Sequence, residues 1–360
     1  MAIEEKHIWK ALGTVEDPDL HRDLVSLNMV KDLEVGEQEV GFTLVLTTPA
    51  CPLKEKLRTD CEAAIHDVYP QAAITIEFDS VVTSQRANNF EQLKGIKHLI
   101  GVASGKGGVG KSTVAANLAV GLAREGAATG LLDADIHGPS LPTMFGLQNT
   151  QPEVIGEGDN LTMIPFQKYG VKVFSMGSLI DDTQPIVWRG PMISSALKQL
   201  LLDVDWGTLD YLIVDLPPGT GDIHLTLSQQ FPLSAVVMVT TPQQVSLADT
   251  RRSIEMYRQP QIDIPVIGMV ENMSYFTPKE LPDHKYYLFG QGGGQKLAGL
   301  YGLPMLAELP LIAGVSEAAD DGKPAAAFED SLLRAPFQEM ARRVAQQLAI
   351  LHTQDRVQPA

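Results

Sequence analysis

Apolar positions along this chain follow two different rhythms, and the change between them falls near residue 90. Residues 1–85 alternate short periods of both kinds. A helix is predicted over Glu4–Leu12, strands over Val30–Val35 and Gly41–Thr47, a helix over Pro52–Val68 and a strand over Ala72–Phe78, which together make a small α/β domain. The polar stretch Thr83–Asn89 reads as connecting chain, so the expected layout is a domain at 1–85, a linker at 86–96 and a second domain at 97–360. From His98 onward, nearly continuous apolar runs at Leu99–Ala103, Thr129–Leu132, Tyr211–Val214, Ala235–Val239 and Val266–Val270 are separated by helical periods. Strands buried on both faces read this way, so the fold class expected is α/β, a doubly wound, mostly parallel sheet preceded by the small α/β domain. Near the end, Phe337, Met340, Val344, Leu348 and Leu351 share one face of a helix over Ala335–Leu351. That face is expected to dock on the core; the alternative is a membrane-surface helix, for which Arg342 and Arg343 are the clustered positive charges.

A length of 360 residues fits two domains, and 44% hydrophobic with 20% charged residues fits a soluble globular chain. The net charge of −16 argues against nucleic acid as a partner, because phosphate backbones are bound through Lys and Arg. The start Met1-Ala-Ile-Glu-Glu-Lys-His lacks a basic segment followed by an apolar one, and no run approaches the roughly 20 apolar residues of a membrane span. A cytoplasmic location is the expectation. The only cysteines, Cys51 and Cys61, are too few for a four-thiolate metal site within one chain.

The chemistry concentrates in Gly105-Lys106-Gly107-Gly108-Val109-Gly110-Lys111-Ser112-Thr113, which fits the phosphate-loop spacing and lies between a predicted strand and a helix running from Lys111 to about Arg124. Glycines let successive N–H groups face phosphate oxygens, and the helix N-terminus favours negative charge. Lys111 is expected on the β- and γ-phosphates of ATP, and Ser112 on Mg²⁺. Two acidic motifs follow strand ends, where parallel sheets place their ligand crevice: Asp133-Ala-Asp135-Ile-His-Gly-Pro-Ser and Asp215-Leu-Pro-Pro-Gly-Thr-Gly-Asp222. Gly138, Gly219 and Gly221 give these loops hinge-capable backbone.

The extra lysine, Lys106, makes the loop resemble the deviant Walker A of the MinD/ParA/nitrogenase-iron-protein superfamily. That resemblance implies an ATP-sandwich homodimer in which Lys106 reaches the partner's nucleotide. It also implies that Asp135 positions the attacking water, that Asp215 holds Mg²⁺ through water and that Asn272 reads adenine. The segments Ala134–Ser140, Val187-Trp188-Arg189-Gly190-Pro191-Met192, Asp215–Asp222 and Val270-Glu271-Asn272-Met273-Ser274 narrow the likeness to the Mrp/ApbC family of iron–sulfur cluster carrier ATPases. Glu16-Asp17-Pro18-Asp19 and Thr47–Pro52 make the N-terminal unit similar to a SufT-like module of iron–sulfur assembly. The function implied is a slow, Mg²⁺-dependent ATPase whose dimer holds and releases an iron–sulfur cluster for apo iron–sulfur proteins or assembly factors.

One departure stands out. The family usually carries a Cys-x-x-Cys after the Glu-Asn-Met segment, and Ser274–Gly290 here has none. Asp283 and His284 fall in that segment, as ligands or as part of an exposed loop. Cys61 continues the Leu53, Leu57, Ile65 stripe and reads as core. Cys51 precedes Pro52 and reads as a helix cap, where the dipole would lower its pKa; it is either an iron–sulfur ligand or a small cap residue. The run Gly290–Gly294 reads as a structural loop opening a helix. Three readings of the function stay open: a cluster carrier with relocated ligands, a metal-free nucleotide-dependent chaperone for apo-proteins, and a MinD/ParA-like positioning ATPase.

Overall fold

The computed structural model describes residues 3–82, 93–135, 138–156, 161–178, 190–220, 231–278, 280–281, 284–329 and 331–357. Ile136, His137, Gly221, Asp222, Asp283, residues 187–189, the polar stretch 83–89 and residues 86–92 of the expected linker lie outside them, and the strand that starts at Ile96 takes the linker's last residue. Packing divides the chain into one unit of residues 1–83 with 345–360 and another of 84–344.

In the first unit, α1 (Glu5–Leu12) turns Ile8, Ala11 and Leu12 inward. A two-residue antiparallel pair, β1 (Glu16–Asp17) and β2 (Arg22–Asp23), follows it. The strands β3 (Val30–Val35) and β4 (Glu39–Leu46) then run antiparallel. The crossover helix α2 (Lys54–Val68) carries the chain to β5 (Ala73–Ser80), which lies parallel to β4. On β4 the period-two alternation buries Val40, Phe42, Leu44 and Leu46. They meet Leu57, Cys61 and Ile65 of α2 in one core, so Cys61 is the packing residue its spacing predicts.

The second unit begins with β6 (Ile96–Ser104), α3 (Lys111–Arg124), β7 (Thr129–Asp133), α4 (Leu141–Met144) and the short pair β8 (Val154–Ile155) and β9 (Thr162–Met163). It continues through β10 (Phe166–Lys168), β11 (Val171–Ser175), α5 (Gly190–Leu202), β12 (Leu209–Asp215), β13 (Ala235–Thr240) and α6 (Gln244–Tyr257). It closes with β14 (Val266–Glu271), α7 (Gly293–Tyr301), β15 (Met305–Glu308), α8 (Ala313–Asp320) and the first half of α9 (Ser331–Val357), whose residues from 345 on belong to the first unit. The sheet order is β10-β11-β7-β12-β6-β13-β14-β15. Only β10 is antiparallel to its neighbour among these pairings. This is the doubly wound, mostly parallel sheet expected from the apolar runs. The edge strands β10 and β15, and β11 next to β10, are short or interleaved with polar residues, and their pattern does not announce them.

The sheet core is built by residues with no exposure, among them Ile100, Leu131, Ile213 and Val237. On α9, Phe337, Met340, Val344 and Leu348 are buried, as a docked helix requires. Asn117 is a polar exception inside α3. Its Nδ2 donates to the Thr113 carbonyl at 2.8 Å and its Oδ1 accepts from Ala326 N–H at 2.7 Å, which ties a distant turn to the helix. Asn117→Leu keeps the volume but leaves that N–H without an acceptor. It should destabilise the chain by about 1–3 kcal/mol in urea denaturation while leaving nucleotide affinity unchanged.

Candidate nucleotide site

The register of the parallel strands lines up the residues that carry the chemistry. Ser175 of β11 and Asp215 of β12 both pair with Asp133 of β7, and Asp215 in turn adjoins Val102 of β6. Three strands therefore end on polar side chains at one level, beside the loop that leaves β6. In an open parallel sheet this carboxyl edge is the ligand crevice.

The loop 105–110 is bent by glycine where no other residue fits. Gly108 and Gly110 adopt φ of 79° and 80°, the left-handed region, and Gly110 leads directly into α3. A Cβ on Gly105 would lie 2.3 Å from the Asp249 carbonyl carbon of α6, so backbone meets backbone there. Among the described residues, the N–H groups of Gly107, Gly108, Val109 and Gly110 donate to no protein acceptor. Such a row of free donors at a helix N-terminus is a cradle for an anion.

Lys111 sits at the centre of the strand-end cluster. It is only 6% exposed, and its Nζ lies 2.5 Å from Asp215 Oδ1, 3.6 Å from Asp135 Oδ2 and 3.4 Å from Ser112 Oγ. Asp133 accepts from the backbone N–H of Asp135 at 3.1 Å and of Leu141 at 3.3 Å, and from the Ser175 hydroxyl at 3.0 Å. Burial first, and then the neighbouring Asp215, push the Asp133 carboxyl up to about 7 against the opposing pull of Lys111. Burial likewise raises Asp215, against the pull of Lys111 and of the Ser112 hydroxyl. Among the described residues the second oxygen of Asp215 is buried without a hydrogen-bond partner, the feature expected of a carboxylate that serves a hydrated cation.

Of the residues singled out in the sequence, Gly105–Thr113, Asp135, Asp215 and Asn272 come together here. Asn272, just past β14, donates from Nδ2 to the Val109 carbonyl at 2.9 Å and so touches the loop itself. Lys106 is partly exposed, and among the described residues no ion pair engages its ammonium, in contrast to Lys111. Asp133 belongs to a quoted motif, but its hold on the Asp135 loop was not legible, and Ser175 gave no signal at all. The Ser175 contact depends on strand register, which pairs residues 42 apart in the chain.

Cys51 lies in the other unit and corrects an expectation. The helix begins at Lys54 with Leu53 as its cap, so Cys51 precedes the cap and its carbonyl closes a turn onto Lys54 N–H. Burial pushes its thiol up to about 11; the backbone N–H of Leu53 opposes the rise, and the Asp17 and Asp19 carboxylates add to it. The dipole effect that would lower it falls off within the first helical turn, and desolvation wins. In the segment that replaces the cysteine pair, Phe276 and Tyr286 exchange backbone hydrogen bonds, and His284 is exposed. Among the described residues no cluster of three or more His, Cys, Asp or Glu could hold a metal ion.

A glycine-bent loop opening a helix, a buried loop lysine and an aspartate closing the neighbouring strand define a P-loop NTPase. Comparison with known proteins refines this class. The family profile described as NUBPL iron-transfer P-loop NTPase matches residues 95–347, and one described as iron–sulfur cluster assembly protein matches residues 5–78. The chain belongs to this iron-transfer P-loop NTPase family, together with the iron–sulfur cluster carrier proteins. It is 48% identical over 318 residues to the iron–sulfur cluster carrier protein of Synechocystis sp., covering 88% of this chain and 90% of the relative. It is 46% identical over 346 residues to that of Deinococcus radiodurans, covering 95% of each. A nucleotide-binding protein of Archaeoglobus fulgidus, solved with ADP, superposes with a TM-score of 0.57 at 39% identity, over 65% of this chain and 89% of that one.

Replacing Lys111 by Met leaves buried carboxyls without their cation and should cost about 3–5 kcal/mol near neutral pH. The loss should grow as pH rises. A buried carboxyl with a raised pKa keeps its proton in the native state while the unfolded chain, at about 3.9, has released it, so stability falls with increasing pH through that window. Urea titrations of wild type and Lys111→Met, followed by the fluorescence of buried Trp206 at several pH values, read both effects. For Cys51, alkylation by iodoacetamide should be slow at neutral pH and should accelerate up to about pH 11, the value to which its thiol is pushed.

Proposed function

We propose that this chain is an ATP-hydrolysing iron–sulfur cluster carrier that works as a cytoplasmic homodimer on apo iron–sulfur proteins or their assembly factors. The observation that carries the ATPase part is Lys111, buried and held at 2.5 Å on Asp215 behind a loop of free N–H groups. In this reading the ATP phosphates take those N–H groups, and Lys111 turns to the β- and γ-phosphates. Ser112 and Asp215 are the residues that would hold Mg²⁺, which lends positive charge to the phosphates when bound. The partnerless oxygen of Asp215 is the atom on this chain that fits such a hydrated ion.

Asp135 has the role of positioning the attacking water. The water oxygen bonds to the γ-phosphorus as the bond to the bridging oxygen of the β-phosphate breaks, and the water's proton leaves with the phosphate product. Lys106 serves the partner subunit's nucleotide, which accounts for a loop lysine without an ion pair of its own among the described residues. Asn272 keeps one N–H and its carbonyl oxygen for adenine while the other N–H stays on Val109.

The cargo is an iron–sulfur cluster, as the relatives' names say of them. Cys51 is the thiol offered to it, because Cys61 is part of the core. A metal that binds this sulfur must displace the proton of a thiol held at about 11 and send it to solvent, so cluster binding should release protons. The same high value supports a second reading, a metal-free nucleotide-dependent chaperone that works on apo-proteins.

Lys111→Ala should abolish binding of ATP, and Lys106→Ala should bind it but turn over about 100-fold more slowly and fail to dimerise with it. Unchanged hydrolysis in both would overturn the ATPase assignment. Anaerobic reconstitution with iron and sulfide, read by iron content, visible absorption and EPR, separates the cargo readings. A cluster lost in Cys51→Ser supports the carrier with Cys51 as ligand, and a cluster retained removes Cys51 from that role. No cluster in either protein assigns the metal-free chaperone.

A further inference from the structure

The helices α6 and α7 leave between them a groove of about 770 Å³. On α6 the lining residues recur at three- and four-residue steps, Gln244, Leu247, Arg251 and Glu255 among them, and on α7 they do so through Lys296 and Leu300. Each helix therefore turns one continuous stripe to the groove. The floor is apolar, from Leu247, Met256 and Leu297, and Leu300 extends it outward at 66% exposure. The charged residues that line it are Arg251, Arg252 and Lys296 against the single carboxylate Glu255, within a chain whose net charge is −16. Arg252 is paired with Asp249 at 2.9 Å, and Glu255 accepts the Tyr301 hydroxyl at 2.6 Å. The ammonium of Lys296 has no ion pair among the described residues. This apolar floor under a positive rim matches an occupant that is apolar on one side and negative on the other.

Both walls of the groove lead to the nucleotide loop. The α6 backbone at Asp249 and Thr250 is in contact distance of Gly105, the first loop residue. Its start is fixed to β13 by hydroxyls: Thr240 Oγ1 meets Ser246 Oγ at 3.0 Å and accepts from Thr250 Oγ1 at 3.0 Å. On the other wall, Gly294 N–H at the start of α7 donates to the buried Glu271 carboxylate at 2.5 Å. The next residue, Asn272, donates to Val109 of the loop. A displacement of the loop by phosphate therefore reaches α6 through packing and α7 through two hydrogen bonds.

We propose that this groove docks an acidic amphipathic helix of a partner protein, with its apolar side chains on the floor and its carboxylates on Arg251, Arg252 and Lys296. Docking is coupled to the nucleotide loop, so partner affinity differs between nucleotide states. The docking surface is independent of what cargo is carried; the coupling rests on the P-loop being the ATP site.

The test uses the full chain and a fluorescein-labelled synthetic helix with one leucine face and one glutamate face, measured by anisotropy with ADP and with a non-hydrolysable ATP analogue. A second peptide, with lysine in place of glutamate, is the control. The acidic peptide should bind at least about tenfold more tightly than the lysine peptide, and Lys296→Glu and Leu300→Asp should each weaken it by about tenfold. Both substitutions lie on exposed positions, so the variants should keep wild-type affinity for a fluorescent ATP analogue. Loss of that affinity in wild type would count against the P-loop assignment and not against the groove. Equal binding of the two peptides, or no effect of the substitutions, overturns the docking site. The same peptide affinity in both nucleotide states overturns the coupling. Sedimentation with phosphatidylserine vesicles, or self-association, that is lost in the same variants would assign the groove to a lipid surface or a second copy and overturn the proposed occupant.

Discussion

The nucleotide site depends on one buried ion pair, Lys111 with Asp215. Taking a lysine and several carboxyls out of water is costly, and a pair at this depth returns the cost only if its geometry is good and its remaining polar atoms are served. Asp133 is served by two backbone N–H groups and the Ser175 hydroxyl. Asp215 is not fully served, and among the described residues its second oxygen has no hydrogen-bond partner. The protein thus holds a buried lysine in place with carboxylates while leaving the arrangement incomplete in a way that a phosphate and its metal ion would complete. The raised Asp133 belongs to the same balance: one lysine cannot neutralise three neighbouring acids, so burial keeps a proton among them near neutral pH.

From this pair the contacts spread outward in an ordered way. The loop around Lys111 can bend because Gly108 and Gly110 accept left-handed backbone, and it can lie against α6 because Gly105 has no side chain. Asn272 ties the same loop to β14, and Glu271 beside it holds the start of α7. A site that must respond to the loss of one phosphate is thereby packed against two helices whose outer faces form a groove. In energetic terms, a ligand at either place changes the other only through its preference between loop arrangements.

The thiol chemistry is separated from this machinery. Cys51 sits ahead of α2 in the N-terminal unit, desolvated and next to acidic side chains, an environment that keeps a proton on sulfur. The residues that replace the cysteine pair of the resembling family instead form a short backbone pairing between Phe276 and Tyr286. The segment after Asn272 thus departs from the pattern that the family resemblance implies, while the nucleotide loop follows it closely.

Sequence alone determined the phosphate loop, the helix Lys111–Arg124, the parallel strands and the core role of Cys61, because each is a local pattern: a fixed spacing of glycines and lysine, a run of apolar residues, a helical stripe. Local chemistry also sufficed to mark Asp135, Asp215 and Asn272 as strand-end residues. What only the tertiary structure decided are quantities set by neighbours far along the chain. The register of three strands brings Ser175 and Asp215 to Asp133, and two helices 36 residues apart at their ends, Tyr257 and Gly293, build one groove. The pKa of Cys51 belongs to the same group. Its sequence position promised a helix dipole, but desolvation depends on everything packed around the sulfur, and that volume is filled by residues that no spacing in the sequence reveals.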